Sequence, residues 1–353
     1  MGNLNKFFRG KRVFITGHTG FKGSWLTSVL IKLGAKVCGY SKIDEKKKQY
    51  IKLCYSQKVK NIYGDILNYK KLEKSLKKFK PDIIFHLAAQ ALVSKSYSDP
   101  YNTFQTNTVG TVNILDITRN LTNVKSLVII TSDKCYRNIE IKRGYKENDV
   151  LGGDDPYSAS KAAAEIIFNA YNKSFYNQRK KLGIATTRAG NVIGGGDWSK
   201  DRIIPDCIKS INKKKKLIIR NPNSTRPWQH VLEPVLGYLI LAMKLYKKPK
   251  KFTGSWNFGP LSNETMSVKN VVDLLFNNLS FEKKILIKKG VFKEANLLKL
   301  NSNKSLKKLK WKNFWNMRKS IQETAKWYKG YLVKSDIKKI TNYQIDEYLK
   351  LYD

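Results

Sequence analysis

From residue 11 to residue 133 the chain alternates short apolar runs with longer stretches in which apolar and polar positions mix. Arg12–Thr16 carries the unbroken run Val13-Phe14-Ile15, the pattern of a strand buried on both faces. Ser24–Leu33 has helical spacing, and Gly34 ends it. Lys36–Tyr40 and Lys60–Tyr63 read as the second and third strands. In Leu67–Lys80 the residues Leu72, Leu76 and Phe79 share one helix face, and Pro81 closes the segment. Asp82–Leu87 reads as a strand, Tyr101–Arg119 as a helix and Ser126–Thr131 as a strand. Pro156 then opens a helix to about Tyr176, as proline does in a first turn, and Gly183–Arg188 is a further strand. Strands and helices in this alternation predict an α/β fold, a Rossmann-type doubly wound parallel sheet.

Beyond Gly194 the pattern loosens. Gly194-Gly195-Gly196-Asp197 reads as a loop, Ile203–Ile211 and Val231–Tyr246 as helices, and Leu217–Ile219 and Ser255–Phe258 as short strands. The remainder mixes helices with Lys-rich turns, and the stretch from about Val333 to Asp353 carries no readable function. No internal repeat or low-complexity linker separates the two parts, so packed rather than tethered lobes are expected. At 353 residues the chain is long enough for one large α/β unit with an appended lobe.

Composition narrows the classes. Hydrophobic residues make up 41% and aromatic residues 12%, which excludes a disordered basic tail. No apolar run reaches spanning length, which argues against a transmembrane helix. Met1 to Arg12 lacks the apolar core of a secretory signal. Cys38, Cys54, Cys135 and Cys207 are scattered and form no CxxC, and His18, His86 and His230 stand far apart. That spacing argues against a zinc site or a disulfide scaffold and for a reducing cytoplasm. The net charge is +41, large enough to raise the question of nucleic acid. It comes from 57 Lys and only 11 Arg, spread along the chain in runs such as Lys213–Lys216. That distribution favours solvated faces over a nucleic-acid site, while the field would still draw in phosphorylated substrates.

Candidate chemistry begins at the first turn. Gly17-His18-Thr19-Gly20-Phe21-Lys22-Gly23 follows the first strand and opens the first helix. Glycines there allow a tight turn and close approach to a pyrophosphate, which the helix N-terminus then faces. A dinucleotide site is expected, with residues 1–194 as the NAD-binding Rossmann domain (with returns near 231–260). Residues 195–230 and 261–353 are then the substrate-binding lobe. The acidic residue that usually follows the second strand is missing: the chain reads Gly39-Tyr40-Ser41-Lys42, and Asp44 comes late. Ser41 is the candidate for a ribose hydroxyl, and Lys42 would tolerate a 2′-phosphate. Asp65 either accepts from the adenine amino group or caps a turn.

Tyr157-Ser158-Ala159-Ser160-Lys161 is YxxxK on a predicted helix, with both side chains on one face. A nearby ammonium favours the phenolate, which would make Tyr157 a proton shuttle near neutral pH. Abundant Tyr and Lys predict about three chance matches in this chain, and three occur: Tyr157/Lys161, Tyr176/Lys180 and Tyr246/Lys250. Only the first follows a polar triplet at a strand end, Ser132-Asp133-Lys134, where a doubly wound sheet puts its ligand crevice.

Together the glycine turn, Leu87-Ala88-Ala89-Gln90, Asn107, Ser132 and Tyr157/Lys161 resemble the extended short-chain dehydrogenase/reductases. More narrowly, several stretches are similar to the CDP-glucose 4,6-dehydratase group. These are Thr16 to Leu26, Ser132 to Tyr136, Leu151-Gly152-Gly153 before Asp155-Pro156-Tyr157, Arg188 to Trp198, and Arg226 to Pro234. The resemblance runs from about residue 8 to 330. It implies that CDP-D-glucose loses water to give CDP-4-dehydro-6-deoxy-D-glucose, with NAD+ regenerated in each cycle.

In that reading Tyr157 takes the 4-hydroxyl proton, Lys161 holds the phenolate and the nicotinamide ribose, and Ser132 bonds the developing ketone. Asp133 is the acid for the 6-hydroxyl and Lys134 the base at C5. Gly17, Thr19, Gly20, Phe21, Lys22, Gly23, Ser41, Asp65, Ile66, Leu87, Ala88, Ala89, Gln90 and Asn107, with Tyr157 and Lys161 again, belong to the NAD+ site. Arg220 and Arg226 are candidates for the substrate pyrophosphate and Asn191 for a phosphate or sugar contact, with Arg202 and His230 as further candidates. Relatives pair two long helices, so Tyr101–Arg119 and Tyr157–Tyr176 are expected to form a homodimer. Another nucleotide-sugar dehydratase or an epimerase on the same scaffold stays open as an alternative, as does a basic RNA-binding protein that has lost catalysis. An epimerase has no use for Asp133-Lys134, and the intact Tyr157 and Lys161 count against lost catalysis.

Overall fold

Seven parallel strands form the central sheet: β1 (Arg12–Thr16), β2 (Lys36–Ser41), β3 (Val59–Tyr63), β4 (Ile83–His86), β5 (Ser126–Ile130), β6 (Gly183–Arg188) and β7 (Gly254–Asn257). The computed structural model describes residues 2–42, 58–260, 265–288 and 297–352, so Asp44 and Cys54 lie outside the described residues. The spatial order is β7-β6-β5-β4-β1-β2-β3. The chain winds one way from β1 to β3 and the other way from β4 to β7, so direction reverses between β1 and β4. Outside the carboxyl ends of those two strands a doubly wound sheet opens its crevice.

Both faces of the sheet are covered, which is why its strands read as continuous apolar runs. On one face Val13, Ile15, Phe85 and Val128 pack with Trp25, Leu26 and Leu239. On the other, Phe14, Ile84 and Ile129 pack with Leu76, Ile114 and Phe168. Alternate residues of one strand thus feed two different cores.

The helix after the glycine turn runs Phe21–Lys32 rather than from Ser24, because Gly20 is its N-cap and the last glycine of the turn is already helical. The segment expected as one helix over 101–119 consists of Pro100–Phe104, a wide π turn at Gln105–Val109, and Gly110–Arg119. The next long helix is Pro156–Tyr171 followed by a second π turn, Asn172–Tyr176. Helices at Gly2–Phe8, Val93–Ser98, Val268–Leu279, Met317–Leu332 and Ile337–Lys350 add to those read from the pattern. The last of these is no loose tail. Trp327 Nε1 donates to Thr341 Oγ1 at 2.9 Å, Gln344 Nε2 donates to the Glu323 carbonyl at 2.7 Å, and Ile345 is fully buried.

Three small sheets follow the main one. Val192–Ile193 pairs with Gln229–His230, Thr225–Arg226 with Met266–Ser267, and Leu217–Ile219 with Ile285–Ile287. Among the described residues no helix is long and apolar enough to cross a membrane.

Candidate active site

The first turn is built for close approach. Gly17 has φ +72°, and a Cβ there would lie 2.7 Å from the Ala88 nitrogen, so only glycine fits between β1 and the chain leaving β4. At Gly23 a Cβ would meet the Gly17 carbonyl oxygen at 2.2 Å. Gly20 caps the Phe21–Lys32 helix without a side-chain hydrogen bond, which leaves first-turn N–H groups for an anion. The cradle therefore suits a dinucleotide pyrophosphate. Thr19 Oγ1 donates to Ser41 Oγ at 3.1 Å, and Leu87 and Ala88 donate backbone N–H groups to the carbonyl and hydroxyl of Thr16.

After β3, Asp65 Oδ1 accepts from the Leu67 N–H at 3.0 Å while Oδ2 pairs with Lys42 Nζ at 2.7 Å. Asp65 thus closes its own turn and holds the lysine that follows β2. Ile66 is buried under Gly110, and its carbonyl accepts from Asn113.

Asn107 sits in the first π turn and ties two walls together. Its Oδ1 accepts from the Gln90 N–H at 2.9 Å, and its Nδ2 donates to the Gln90 carbonyl at 3.0 Å and to Ser160 Oγ at 2.9 Å. The Leu87-Ala88-Ala89-Gln90 loop is thereby locked to the helix that carries Tyr157 and Lys161. A π turn re-aims one side chain within a helix, and such turns recur at functional sites.

β5 is followed by Ser132-Asp133-Lys134. Ser132 Oγ donates to Asp133 Oδ1 at 3.0 Å and accepts from the Lys134 N–H at 3.2 Å. Ser132 also hydrogen-bonds the Tyr157 phenol. Lys161 Nζ points to the Ile130 carbonyl at 3.5 Å. The structure therefore brings the triplet and the first YxxxK pair together. The other two pairs are chance matches. Tyr176 donates to the Leu115 carbonyl in the core, and the Tyr246 ring packs on Phe7 with Lys11 and Lys125 over it.

Electrostatics corrects one expectation. Tyr157 is only 8% exposed, and burial pushes its phenol up to about 12, against the pull of Ser132 and then Arg202. The groups that favour the phenolate most are therefore Ser132 and Arg202 rather than the nearby ammonium of Lys161. Burial pushes Lys161 down to about 8, with the Glu165 carboxylate opposing. Lys22 is also pushed down to about 8, first by burial, then by Arg202, with Asp133 opposing and Lys161 adding. Lys22, Lys161 and Arg202 thus crowd one crevice with Asp133 and Asp197, a field that suits a polyanionic ligand.

Arg202 Nη1 pairs with Asp197 at 2.9 Å, and Nη2 donates to the Ala91 carbonyl. It reaches across to the loop after β4 and stands on the side of the crevice that holds Tyr157. Arg220 pairs with Asp201 at 2.6 Å on the surface, and Arg226 Nη1 donates to its neighbour's carbonyl on Thr225. Asn191 turns in the left-handed region at φ +51°. His230 is a correction. It is fully buried, with its ring packed against Trp25 and Trp315, and burial pushes it down to about 3. It is a neutral core residue, not a substrate contact.

Two residues escaped the sequence reading. Glu165 lies one turn beyond Lys161, and Arg188 closes β6. They pair at 2.7 Å and are essentially fully buried. Glu165 also accepts from Thr131, Thr186 and Ser255, and Arg188 donates to the Tyr136 hydroxyl at 2.6 Å and the Glu147 carbonyl at 3.0 Å. The signals were the helical step from Tyr157 through Lys161 to Glu165 and the place of Arg188 at the head of the family-like stretch Arg188 to Trp198. Among the described residues no group of three or more His, Cys, Asp and Glu could hold a metal ion.

A family model described as GDP-mannose 4,6 dehydratase matches residues 14–324. The CDP-glucose 4,6-dehydratase of Salmonella typhimurium is 42% identical over 349 residues, 97% of either chain. The dTDP-D-glucose 4,6-dehydratase of Dictyostelium discoideum is 30% identical over 259 residues, 69% of this chain and 58% of that one. Among solved structures, the dTDP-glucose 4,6-dehydratase of Bacillus anthracis in complex with NAD superposes with a TM-score of 0.77 at 22% identity. That match covers 92% of this chain and 99% of that one.

Proposed function

This chain belongs to the GDP-mannose 4,6-dehydratase family, and from that premise we propose that it dehydrates CDP-D-glucose to CDP-4-dehydro-6-deoxy-D-glucose. The observation that carries the reading is the meeting of Ser132-Asp133-Lys134 with Tyr157 and Lys161 at one strand end. NAD+ is the cofactor, and bound at the glycine turn it supplies a reversible hydride acceptor.

The chain's own residues do the rest. Gly17, Gly20 and Gly23 admit the pyrophosphate, and Asn107 fixes Gln90 and Ser160 around the cofactor. Tyr157 takes the 4-hydroxyl proton, with Ser132 sharing the oxygen. Ser132 and then Arg202 favour the phenolate against the cost of its burial, and Lys161 stands one helical turn away to hold the nicotinamide ribose. The C4 ketone acidifies the C5 proton, which Lys134 accepts, while Asp133 protonates the departing 6-hydroxyl as water. Arg220 and Arg226, from the lobe of residues 195–230 and 261–353, and Asn191, from the turn after β6, receive the nucleotide end.

Purified protein is expected to turn over CDP-glucose faster than dTDP-, UDP- or GDP-sugars in parallel assays without added reductant. Equal or faster turnover of dTDP-glucose would overturn the nucleotide assignment. The working unit is a homodimer. Tyr101, Phe104, Ile166 and Phe175 stand exposed, at 73% for Tyr101 and 58% for Ile166, on adjacent helices whose apolar side chains need a cover. A second copy would cover them by two-fold symmetry. Sedimentation is expected to give twice the chain mass, and a monomer at micromolar concentration would refute the pairing. The chain acts in the cytoplasm, where the buried free thiols of Cys38, Cys135 and Cys207 stay reduced.

A further inference from the structure

After β6 the chain turns through Ala189, Gly190 and Asn191 directly against Asp133. A Cβ on Gly190 would lie 1.7 Å from Asp133 Oδ2, 2.2 Å from its Cγ and 2.7 Å from Oδ1. The backbone at 190 is not in the left-handed region, so space, not conformation, demands glycine there. The carboxylate rests on the bare α-carbon with no room for a methyl group.

The turn is held in place from behind. Asn191 occupies the left-handed region, which a non-glycine residue keeps only under constraint. Gln229, buried, supplies it. Its N–H donates to the Asn191 carbonyl at 3.2 Å, and its Nε2 donates to the carbonyls of Gly190 at 3.3 Å and Phe258 at 2.8 Å. On the other side of Asp133, Ser132 Oγ donates to Oδ1. The remaining side opens on a small cavity lined by Asn191, Pro227, Gly259 and Leu300.

We propose that Gly190 is a positioning residue for the dehydration step: its missing side chain lets the Asp133 carboxyl group lie toward the cleft, and any side chain at 190 swings it away from the hexose C6 oxygen. This rests on the reading of Asp133 as the acid. The step concerned is the elimination alone. The C5–H bond gives its proton to the Lys134 amine, its electron pair forms the C5–C6 double bond, and the C6–O bond breaks. Asp133 then delivers its proton to the leaving hydroxyl, which departs as water. The earlier proton transfer at the 4-hydroxyl runs through Tyr157, which residue 190 reaches only by way of Asp133 and Ser132.

The test compares Gly190→Ala, Asp133→Asn and the double variant, following reduced nicotinamide by absorbance and the sugar by NMR. Gly190→Ala is expected to form reduced nicotinamide and 4-keto-glucose normally while deoxy product falls by about 10²-fold, the lower scale for a lost general acid. Adding Gly190→Ala to Asp133→Asn is expected to cost nothing further, because both act through one carboxyl group. Undiminished product from Gly190→Ala, or losses that multiply in the double variant, overturns the positioning role alone. Wild-type dehydration by Asp133→Asn overturns the acid assignment and the proposal with it. If Gly190→Ala fails to fold, Gly190→Ala combined with Asp133→Gly removes the obstructing carboxylate and should restore cofactor-binding protein. Failure of that pair to fold also overturns the proposal.

Discussion

Tyr157→Phe is expected to stop the reaction before any sugar is oxidised, with kcat falling by about 10³-fold, mid-range for a lost acid–base group. The phenol lies almost wholly out of water, bonded to Ser132 and facing Arg202. Removing its hydroxyl leaves the 4-hydroxyl proton without an acceptor, while the ring still fills its space. Cofactor affinity and melting temperature should therefore hold. Rapid mixing with CDP-glucose is the measurement, and no reduced nicotinamide should form. Lys134→Ala serves as the contrast: reduced nicotinamide and 4-keto-glucose should form, then stall. Reduced nicotinamide at the wild-type rate in Tyr157→Phe would remove Tyr157 from the proton transfer. Unimpaired dehydration in Lys134→Ala would do the same for Lys134 at C5.

Arg188→Met carries the largest expected effect on folding, a loss of about 3–5 kcal/mol, the range for breaking a buried ion pair from one side. Glu165 would be left charged beneath the sheet ends, keeping its Thr131, Thr186 and Ser255 hydrogen bonds but no cation. The Tyr136 hydroxyl and the Glu147 carbonyl would each lose a donor as well. Urea unfolding followed by circular dichroism reads the change as a lower midpoint at unchanged slope. A loss under about 1 kcal/mol, the scale of an exposed pair, would show that the site does not depend on this support. Glu165 shares its helix with Tyr157 and Lys161, so the pair also anchors that helix to β6.

What the sequence disclosed follows from how local each signal is. Val13-Phe14-Ile15 reads as a strand because both faces are buried, and Gly17, Gly20 and Gly23 show their purpose by spacing alone. The start of the Phe21–Lys32 helix was hidden because its first turn is the glycine turn itself. The late helices Met317–Leu332 and Ile337–Lys350 were hidden by lysines that cover their outer faces. The environment of Tyr157 was misjudged for a physical reason: i,i+4 spacing announces Lys161 but not desolvation, nor an Arg202 arriving from a distant loop. Glu165 and Arg188 are 23 residues apart, and either one alone reads as a surface charge. Nothing local to Gly190 reveals that a carboxylate lies against it. His230 looked like chemistry in a family motif and proved to be packing between tryptophans.

The Gln229 clamp ties the turn against Asp133 to the last strand of the sheet. Its Nε2 bridges Gly190 to Phe258, and the Phe258 N–H in turn donates to the Arg188 carbonyl at 2.8 Å. The shape of the Gly190 turn therefore depends on a segment far along the chain, and a truncation that removed β7 and Phe258 would be felt on the opposite side of β6.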